Sequence, residues 1–306
     1  FSQHASFGQI LPVLQICQLK HLQEDQPGFL SREDRVVCLP AYLVEACTGV
    51  AATDANLAAM SGLYSLHLGD WWPAALEACR LEPRQLPKLV SVGSVAAETQ
   101  GGAGRFGLPP NLPVVLAGND QTAGAFGAEL DKEGGLLITL GTAQVAYACT
   151  GDLPAPNADV IRGPYPGGLH YRMAADSCGG NLVTWAETLL SECGTDPAFF
   201  CQVDAAEPGC RGLVFDVESP AGEGAWYNIG LIHTSAEFAR SIDECLARRM
   251  AAMVRPLGVE GSGGKILVAG GGSHSTSWVG ILSEELNSPL TVTEAAPLRG
   301  AARMAH

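Results

Sequence analysis

The stretch LPVVLAGNDQTAGAFGA, residues 112–128, holds the feature that decides the fold. Its first half is a short apolar run that predicts a strand, and its Ala- and Gly-rich second half allows a closely packed helix. Asp120 lies where the strand passes to the helix. Two interpretations of Asp120 stay open, and one of them rests on the rule that α/β proteins place ligands at the carboxyl ends of strands. Asp120 either caps the helix or presents a carboxylate to a ligand.

The composition indicates a compact α/β protein. The chain has 306 residues, of which 47% are hydrophobic and 16% charged. This length suits about two domains with a sizeable core. The longest apolar runs fall well short of the roughly 20 residues that span a bilayer. No secretory signal opens the sequence, so we expect no membrane partner.

The charge and the cysteines narrow the classes of partner. The formal net charge is −14, and only four of the 18 basic residues are lysines. No basic run exists that would neutralise nucleic-acid phosphates, so no nucleic-acid partner is expected. Ten cysteines are scattered without a CxxC pair. We therefore expect free thiols in a reducing cytoplasm. We expect no zinc site, and we assign no residue as a metal ligand. A homodimer is compatible with the sequence.

Two further turns are candidate ligand sites. In KILVAGGGSHSTS, residues 265–277, three glycines follow a strand and precede a helix. The turn either binds a phosphate at the helix N-terminus or is only tight, with Ser273 or Ser275 as cap. LLITLGTAQVAYA, residues 136–148, predicts a hairpin turning at Gly141-Thr142. That turn either presents NH and hydroxyl groups to a phosphate or simply needs a glycine.

A GxGxxG spacing at Gly102, Gly104 and Gly107 is a chance match. A dinucleotide-binding loop follows a strand and opens a helix, whereas Leu108-Pro109-Pro110 prevents a helix here. The sequence therefore gives no support for a Rossmann dehydrogenase.

The order of predicted elements suggests two domains. Residues 12–23, 36–49 and 54–68 have helical spacing, and strand-like segments become frequent after residue 88. A long helix over 234–254 begins with Thr234 and Glu237 at capping-box spacing. Charge and glycine interrupt the pattern between residues 128 and 133, so we predict domains at 1–128 and 129–306.

Taken in order, these segments resemble the FGGY carbohydrate kinases, especially the xylulokinase-like members. Residues 112–128 resemble the stretch that carries the family's catalytic aspartate, residues 138–147 its phosphate-contacting hairpin, and residues 265–292 its Gly-rich turn and following helix. RGAARMA, residues 299–305, fits the closing helix. The resemblance implies an α/β protein with actin-like ATPase (ribonuclease H-like) domains, the second complete and the first partial.

The resemblance also implies a reaction, phosphoryl transfer from ATP with Mg²⁺ to a hydroxyl of a ketose such as xylulose. Asp120 would act as base, beside Asn119 at the sugar. The residues that it places at ATP are Gly141, Thr142, Gly271, Gly272, Ser273 and Ser275. Such transfers depend on positioning and charge stabilisation more than on covalent chemistry.

Departures from the family keep alternatives open. No DxGT turn occurs before residue 54, so much of the first domain is expected to lie outside this chain. In the segment resembling the second family signature, Asp243 occupies an apolar position. A catalytically inactive nucleotide- or sugar-binding remnant is therefore the second hypothesis, and an actin-like scaffold the third.

Overall fold

The computed structural model describes residues 1–130, 133–190, 196–219, 222–259, 264–294 and 297–306. The chain forms two compact units. The first unit comprises Phe1–Glu133, Cys149–Arg172 and Ala296–His306, and the second comprises Gly134–Ala148 and Met173–Ala295. Each unit is thus assembled from more than one chain segment. The predicted assignment of 1–128 and 129–306 to two family domains stays a prediction, and Asp131 and Lys132 at its boundary lie outside the described residues.

Helices and strands alternate along the chain. The helices are α1 (Gln15–Asp25), α2 (Leu39–Thr48), α3 (Ala55–Ala59), α4 (Pro73–Ala78), α5 (Asp120–Gly127), α6 (Gly180–Leu190), α7 (Asp196–Ala205), α8 (Ser235–Val254), α9 (Thr276–Glu285) and α10 (Pro297–Met304). The strands are β1 (Ala52–Asp54), β2 (Tyr64–Ser65), β3 (Asp70–Trp71), β4 (Lys88–Val90), β5 (Ser94–Glu98), β6 (Pro113–Leu116), β7 (Leu136–Leu140), β8 (Gln144–Thr150), β9 (Ile161–Pro164), β10 (His170–Asp176), β11 (Val214–Val217), β12 (Gly224–Tyr227), β13 (Ile266–Ala269) and β14 (Leu290–Val292).

The first unit contains short sheets and helices around α5. Strands β1 and β4 are parallel, and β5 and β6 form an antiparallel pair. Helix α10 lies directly against α5, because a Cβ on Gly300 would be 1.7 Å from the carbonyl oxygen of Ala123. Only glycine permits this approach. Apolar side chains from α1, α4 and the segments around them form a separate core cluster, which includes Leu19, Leu63, Leu76, Cys79, Leu81 and Leu86.

The second unit is built on the strands β14-β13-β7-β8-β10, which are neighbours in this order in one sheet. Strand β13 is parallel to both β7 and β14. Strands β7 and β8 form the predicted hairpin, with Leu140 opposite Gln144. The parallel arrangement brings the ends of β7 and β13 to one edge of the sheet.

Several local predictions are confirmed. Helix α8 begins with the capping box of Thr234 and Glu237, and α2 ends at Gly49 in the left-handed conformation. The predicted helix over 54–68 is partly wrong, because α3 ends at Ala59 and β2 follows. Gly62, at φ +78°, turns the chain between them. In the part of the chain that the structure describes, no helix is both long and apolar enough to cross a membrane.

Candidate functional site

A cavity of about 710 Å³ in the second unit collects most of the predicted nucleotide-binding residues. Its walls come from the turn between β7 and β8, the first turn of α6, helix α7, and the turn before α9. The lining residues are Leu140, Gly141, Thr142, Gly180, Asn181, Val183, Thr184, Phe200, Gly271, Gly272, His274, Ser275 and Trp278. Backbone NH groups, hydroxyls and two aromatic rings therefore share one cavity, the composition that small-molecule sites require.

The β7–β8 turn is fixed by the start of α6. The NH of Gly180 donates to the carbonyl of Gly141 at 2.8 Å, and the NH of Asn181 donates to the carbonyl of Thr142 at 3.2 Å. These bonds satisfy orphan NH groups at the helix start. They also hold the backbone of the turn, so the exposed Thr142 side chain is presented from a fixed position.

Sequence reasoning missed the pair Gly179-Gly180. A Cβ on Gly179 would lie 2.9 Å from the carbonyl oxygens of Gly141 and Thr142, and a Cβ on Gly180 would lie 2.9 Å from that of Gly141. Glycine is required because the start of α6 touches the hairpin backbone. Two glycines and an asparagine ahead of a helical pattern were the available signal, but the close approach depends on tertiary structure.

The turn before α9 also depends on glycine. Gly270 has φ +94°, and a Cβ there would be 2.5 Å from the carbonyl oxygen of Leu140. A Cβ on Gly272 would be 2.5 Å from the ring of Trp278. Gly271 between them has no atom within 4 Å of its Cβ position, so this residue faces open space in the cavity wall.

The two serines of this turn have different places. Ser275 caps α9 by accepting the NH of Trp278 at 3.2 Å, and it lines the cavity. Ser273 is buried, and its hydroxyl donates to the carbonyl of Gly270 at 2.7 Å. The side chain of Ser273 therefore shapes the turn, and its predicted contact with ATP stays a prediction.

In the first unit, the interpretation of Asp120 as the helix cap is wrong. Asn119 has the extended backbone of a cap, with φ −76° and ψ 171°, and its Oδ1 accepts the NH of Thr122 at 2.8 Å. Asp120 is the first helical residue. Its side chain is exposed, and Oδ1 accepts the NH of Gln121 at 2.9 Å. Because Asn119 provides the cap, the Asp120 carboxylate is free for another role.

Two buried residues beneath this turn were also missed. Asp54 Oδ2 accepts the NH of Gly118, and Asn56 Oδ1 accepts the NH of Asn119, both at 3.0 Å. Locally, Asp54 caps α3 by accepting the NH of Leu57 at 2.9 Å. Its second contact joins positions far apart in the sequence, which no local pattern reports.

Comparison with known proteins places this architecture. Residues 4–127 match the sequence profile of the FGGY family of carbohydrate kinases, N-terminal domain. L-fuculokinase from Salmonella typhi is 26% identical over 293 residues, covering 91% of this chain and 61% of that protein. The N-terminal part of the chain thus resembles the FGGY carbohydrate kinases.

Xylulose kinases also resemble the chain over most of its length. Xylulose kinase from Escherichia coli K12 is 24% identical over 317 residues, covering 97% of this chain and 64% of that enzyme. The crystal structure of xylulose kinase from Rhodospirillum rubrum superposes with a TM-score of 0.89 at 20% identity, over 99% of this chain and 64% of that one. The expected α/β actin-like fold is thereby confirmed. The chain spans somewhat less than two thirds of the length of these FGGY relatives.

Proposed function

We propose that this chain is part of an ATP-dependent sugar kinase that phosphorylates a hydroxyl of a ketose such as xylulose. Similarity to named sugar kinases supports the reaction type, since relatives are named L-fuculokinase and xylulose kinase. The observation that carries the nucleotide part is the cavity of the second unit. Five of the six residues predicted at ATP line it, namely Gly141, Thr142, Gly271, Gly272 and Ser275.

The cavity has groups suited to a nucleotide. Gly271 brings the backbone to the cavity wall without a side chain in front of it, and Thr142 and Ser275 add hydroxyls. Backbone NH groups in glycine turns bind phosphate without a lysine, which suits a chain with four lysines. Phe200 and Trp278 supply the apolar surface that a base requires. In the proposed reaction this site holds the phosphates in line for transfer.

Asp120 is the proposed base. As an exposed carboxylate at the first helical position, it has a lone pair available to a sugar hydroxyl. Accepting that proton as the new oxygen–phosphorus bond forms would prevent positive charge from building on the attacking oxygen. Asn119, whose Oδ1 caps the helix, retains its amide NH₂ for the predicted sugar contact. We propose this contact for its side-chain nitrogen.

Mg²⁺ belongs to the proposal as the ion that accompanies ATP. The residues lining the cavity contribute hydroxyls and backbone groups but no carboxylate. Among the described residues no group of three or more His, Cys, Asp and Glu is arranged to hold a metal ion. The described side chains thus form no magnesium cage of their own. The nine cysteines within the described ranges are free thiols, which supports the proposed cytoplasmic location.

The first experiment is calorimetric titration of the purified protein with ATP and Mg²⁺, followed by ADP release across ketopentoses, ketohexoses and polyols. We expect nucleotide binding and ketose-dependent ADP release. Binding without turnover by any sugar would instead support the catalytically inactive remnant. Filament assembly without nucleotide-dependent sugar turnover would support the scaffold.

The base is tested separately by Asp120→Asn. We expect kcat to fall by about 10²- to 10⁴-fold with ATP affinity unchanged, because a general base is lost and the nucleotide site is not touched. Asp159→Asn, at another exposed carboxylate of the same unit, is the matched control and should keep kcat. Unchanged turnover by Asp120→Asn would exclude this residue as the base.

A further inference from the structure

The turn that carries Asp120 is held from beneath by side chains distant in the sequence. Gly118 and Asn119 connect β6 to α5, and their consecutive NH groups each donate to a buried side chain at 3.0 Å. The acceptors are Asp54 for Gly118 and Asn56 for Asn119. Both acceptors have no solvent exposure. Backbone NH groups in most strand-to-helix turns bond to local partners or water, so this anchoring is a specific feature of the turn.

Both the oxygen and the nitrogen of the Asn56 side-chain amide form hydrogen bonds. While Oδ1 accepts from Asn119, Nδ2 donates to Thr122 Oγ1 at 2.9 Å and to the carbonyl of Pro164 at 2.8 Å. Thr122, also fully buried, lies in the first turn of α5. One side chain therefore contacts the residue before Asp120, the residue two after it, and strand β9.

The turn also fits closely on Asn56. Gly118 has φ +72°, and a Cβ there would lie 3.0 Å from Asn56 Oδ1 and 3.1 Å from Thr122 Cγ2. A residue with a Cβ would be strained at position 118, because the backbone is left-handed and the Cβ would crowd these two atoms. The exposed carboxylate of Asp120 therefore projects from a backbone that the buried network fixes on both sides. Fixed support below an exposed reactive group is the arrangement that precise positioning needs.

We propose that Asp54 and Asn56 are positioning residues for the phosphoryl transfer, acting through the backbone on either side of Asp120. Neither residue touches substrate in this assignment. The inference rests on the proposed function, since it presumes that Asp120 is the base. It adds two residues that contribute to turnover although they lie entirely within the core of the first unit.

The test compares two buried amides of the first unit. Asn56→Ala removes the anchor of the turn. Gln85→Ala removes another buried amide, whose Nε2 donates to the carbonyls of Ser31 and Asp34 at 3.0 and 3.1 Å, away from the turn. We expect Asn56→Ala to lower kcat by about 10²-fold with KM for ATP little changed, because misplacing a catalytic group mainly affects the transition state. Gln85→Ala should lower stability comparably and keep kcat.

A double-mutant cycle separates positioning from general destabilisation. In an Asp120→Asn background, adding Asn56→Ala should change kcat by less than about twofold, because its effect passes through the missing carboxylate. Should Asn56→Ala not fold, Asn56→Asp replaces it, since it retains an acceptor for Asn119 and loses the donor to Thr122. Amide hydrogen exchange provides a readout without turnover. In Asn56→Ala, which removes the acceptor of Asn119, Gly118 and Asn119 should exchange faster, and they should not in Gln85→Ala.

The outcomes separate the two proposals. Unchanged kcat for the Asn56 variants beside an inactive Asp120→Asn overturns the positioning role and leaves the base in place. Unchanged kcat for Asp120→Asn overturns both. Unchanged exchange at Gly118 and Asn119, or an additive cycle, also overturns the positioning role.

Discussion

Asp54 in the first unit and Asp243 in the second are both completely buried, yet their surroundings differ. The Asp54 carboxylate accepts backbone NH groups from Leu57 and Gly118. Neither oxygen of Asp243 has a hydrogen-bond partner among the described residues. Burial raises the pKa of both carboxyls, but hydrogen bonds from backbone NH groups oppose the rise at Asp54.

The electrostatic surroundings of Asp243 add to the contrast. Arg240 lowers the pKa of the Asp243 carboxyl, while Asp204 and Glu244 raise it, and burial is the dominant cause of a pKa well above the ordinary value. Arg240 is already paired with Glu244, at 2.9 Å. Burial of a carboxylate thus does not by itself indicate a function. Its partners do, and they connect Asp54 to the turn of Asp120.

The largest effect on stability is expected from Asp54→Ala. The substitution leaves the NH groups of the half-buried residues Leu57 and Gly118 without their acceptor and should lower the free energy of unfolding by about 2–5 kcal/mol. Urea denaturation measures it. Asp34→Ala, which removes an exposed carboxylate that accepts the NH of Ser31, should change stability by less than about 1 kcal/mol. Equal effects of the two substitutions would contradict the expected difference between a buried and an exposed carboxylate.

Asp243→Leu should have the opposite sign. Replacing a buried carboxyl that has no partner by an apolar side chain with the same branching and number of heavy atoms should raise the free energy of unfolding at pH 8 by about 1–3 kcal/mol. Urea denaturation of the two proteins side by side measures it. A loss of stability would show that the carboxyl is satisfied in solution and would end the comparison with Asp54.

The pH dependence sharpens the same contrast. The pKa of Asp243 is raised in the folded protein. Its contribution to the free energy of unfolding is therefore fully present below pH 3.8, the ordinary pKa, and is lost as the pH rises through the pKa of the folded protein. The stability difference between Asp243→Leu and wild type should therefore be smallest below pH 3.8 and grow with pH. Denaturation series from pH 3.5 to 8 test this, and a difference independent of pH would contradict it.

The smallest effect is expected from Asp204→Asn. Asp204 is exposed, accepts a hydrogen bond from Ser277 at 2.6 Å, and raises the pKa of Asp243. Removing its charge should lower the pKa of Asp243 and raise stability at pH 8 by a few tenths of a kcal/mol, as for other exposed charges. Glu207→Gln is the control, since Glu207 is exposed and is not among the groups that shift the pKa of Asp243. The same gain from both variants would point to net charge instead.

Much of the fold was accessible from the sequence because its signals are local. The capping box of α8 and the hairpin at Gly141 are set by residues within a few positions of each other. Local signals failed where two choices were chemically equal. Asn119 and Asp120 are both good caps, and only the backbone angles assign the cap to Asn119.

The candidate site was predicted in the same uneven way. Glycines that shape a turn are visible in the sequence, as at 270–272, whereas the reason for Gly179 and Gly180 is a contact with the hairpin backbone. Asp54 and Asn56 were missed because their side-chain oxygens accept hydrogen bonds from NH groups that lie more than sixty positions later in the sequence. Hydrogen bonds of that range leave no periodicity or spacing to detect.

The packing of α10 on α5 has a consequence for synthesis. Arg303 donates to the carbonyl of Phe126 at 2.5 Å, and its guanidinium lies 5.0 Å from the Phe126 ring. The first unit therefore includes residues that leave the ribosome nearly two hundred positions after the helix they cover. Domains usually fold in the order of translation. Helix α5 therefore lacks its contact with α10 until residues 297–304 have emerged.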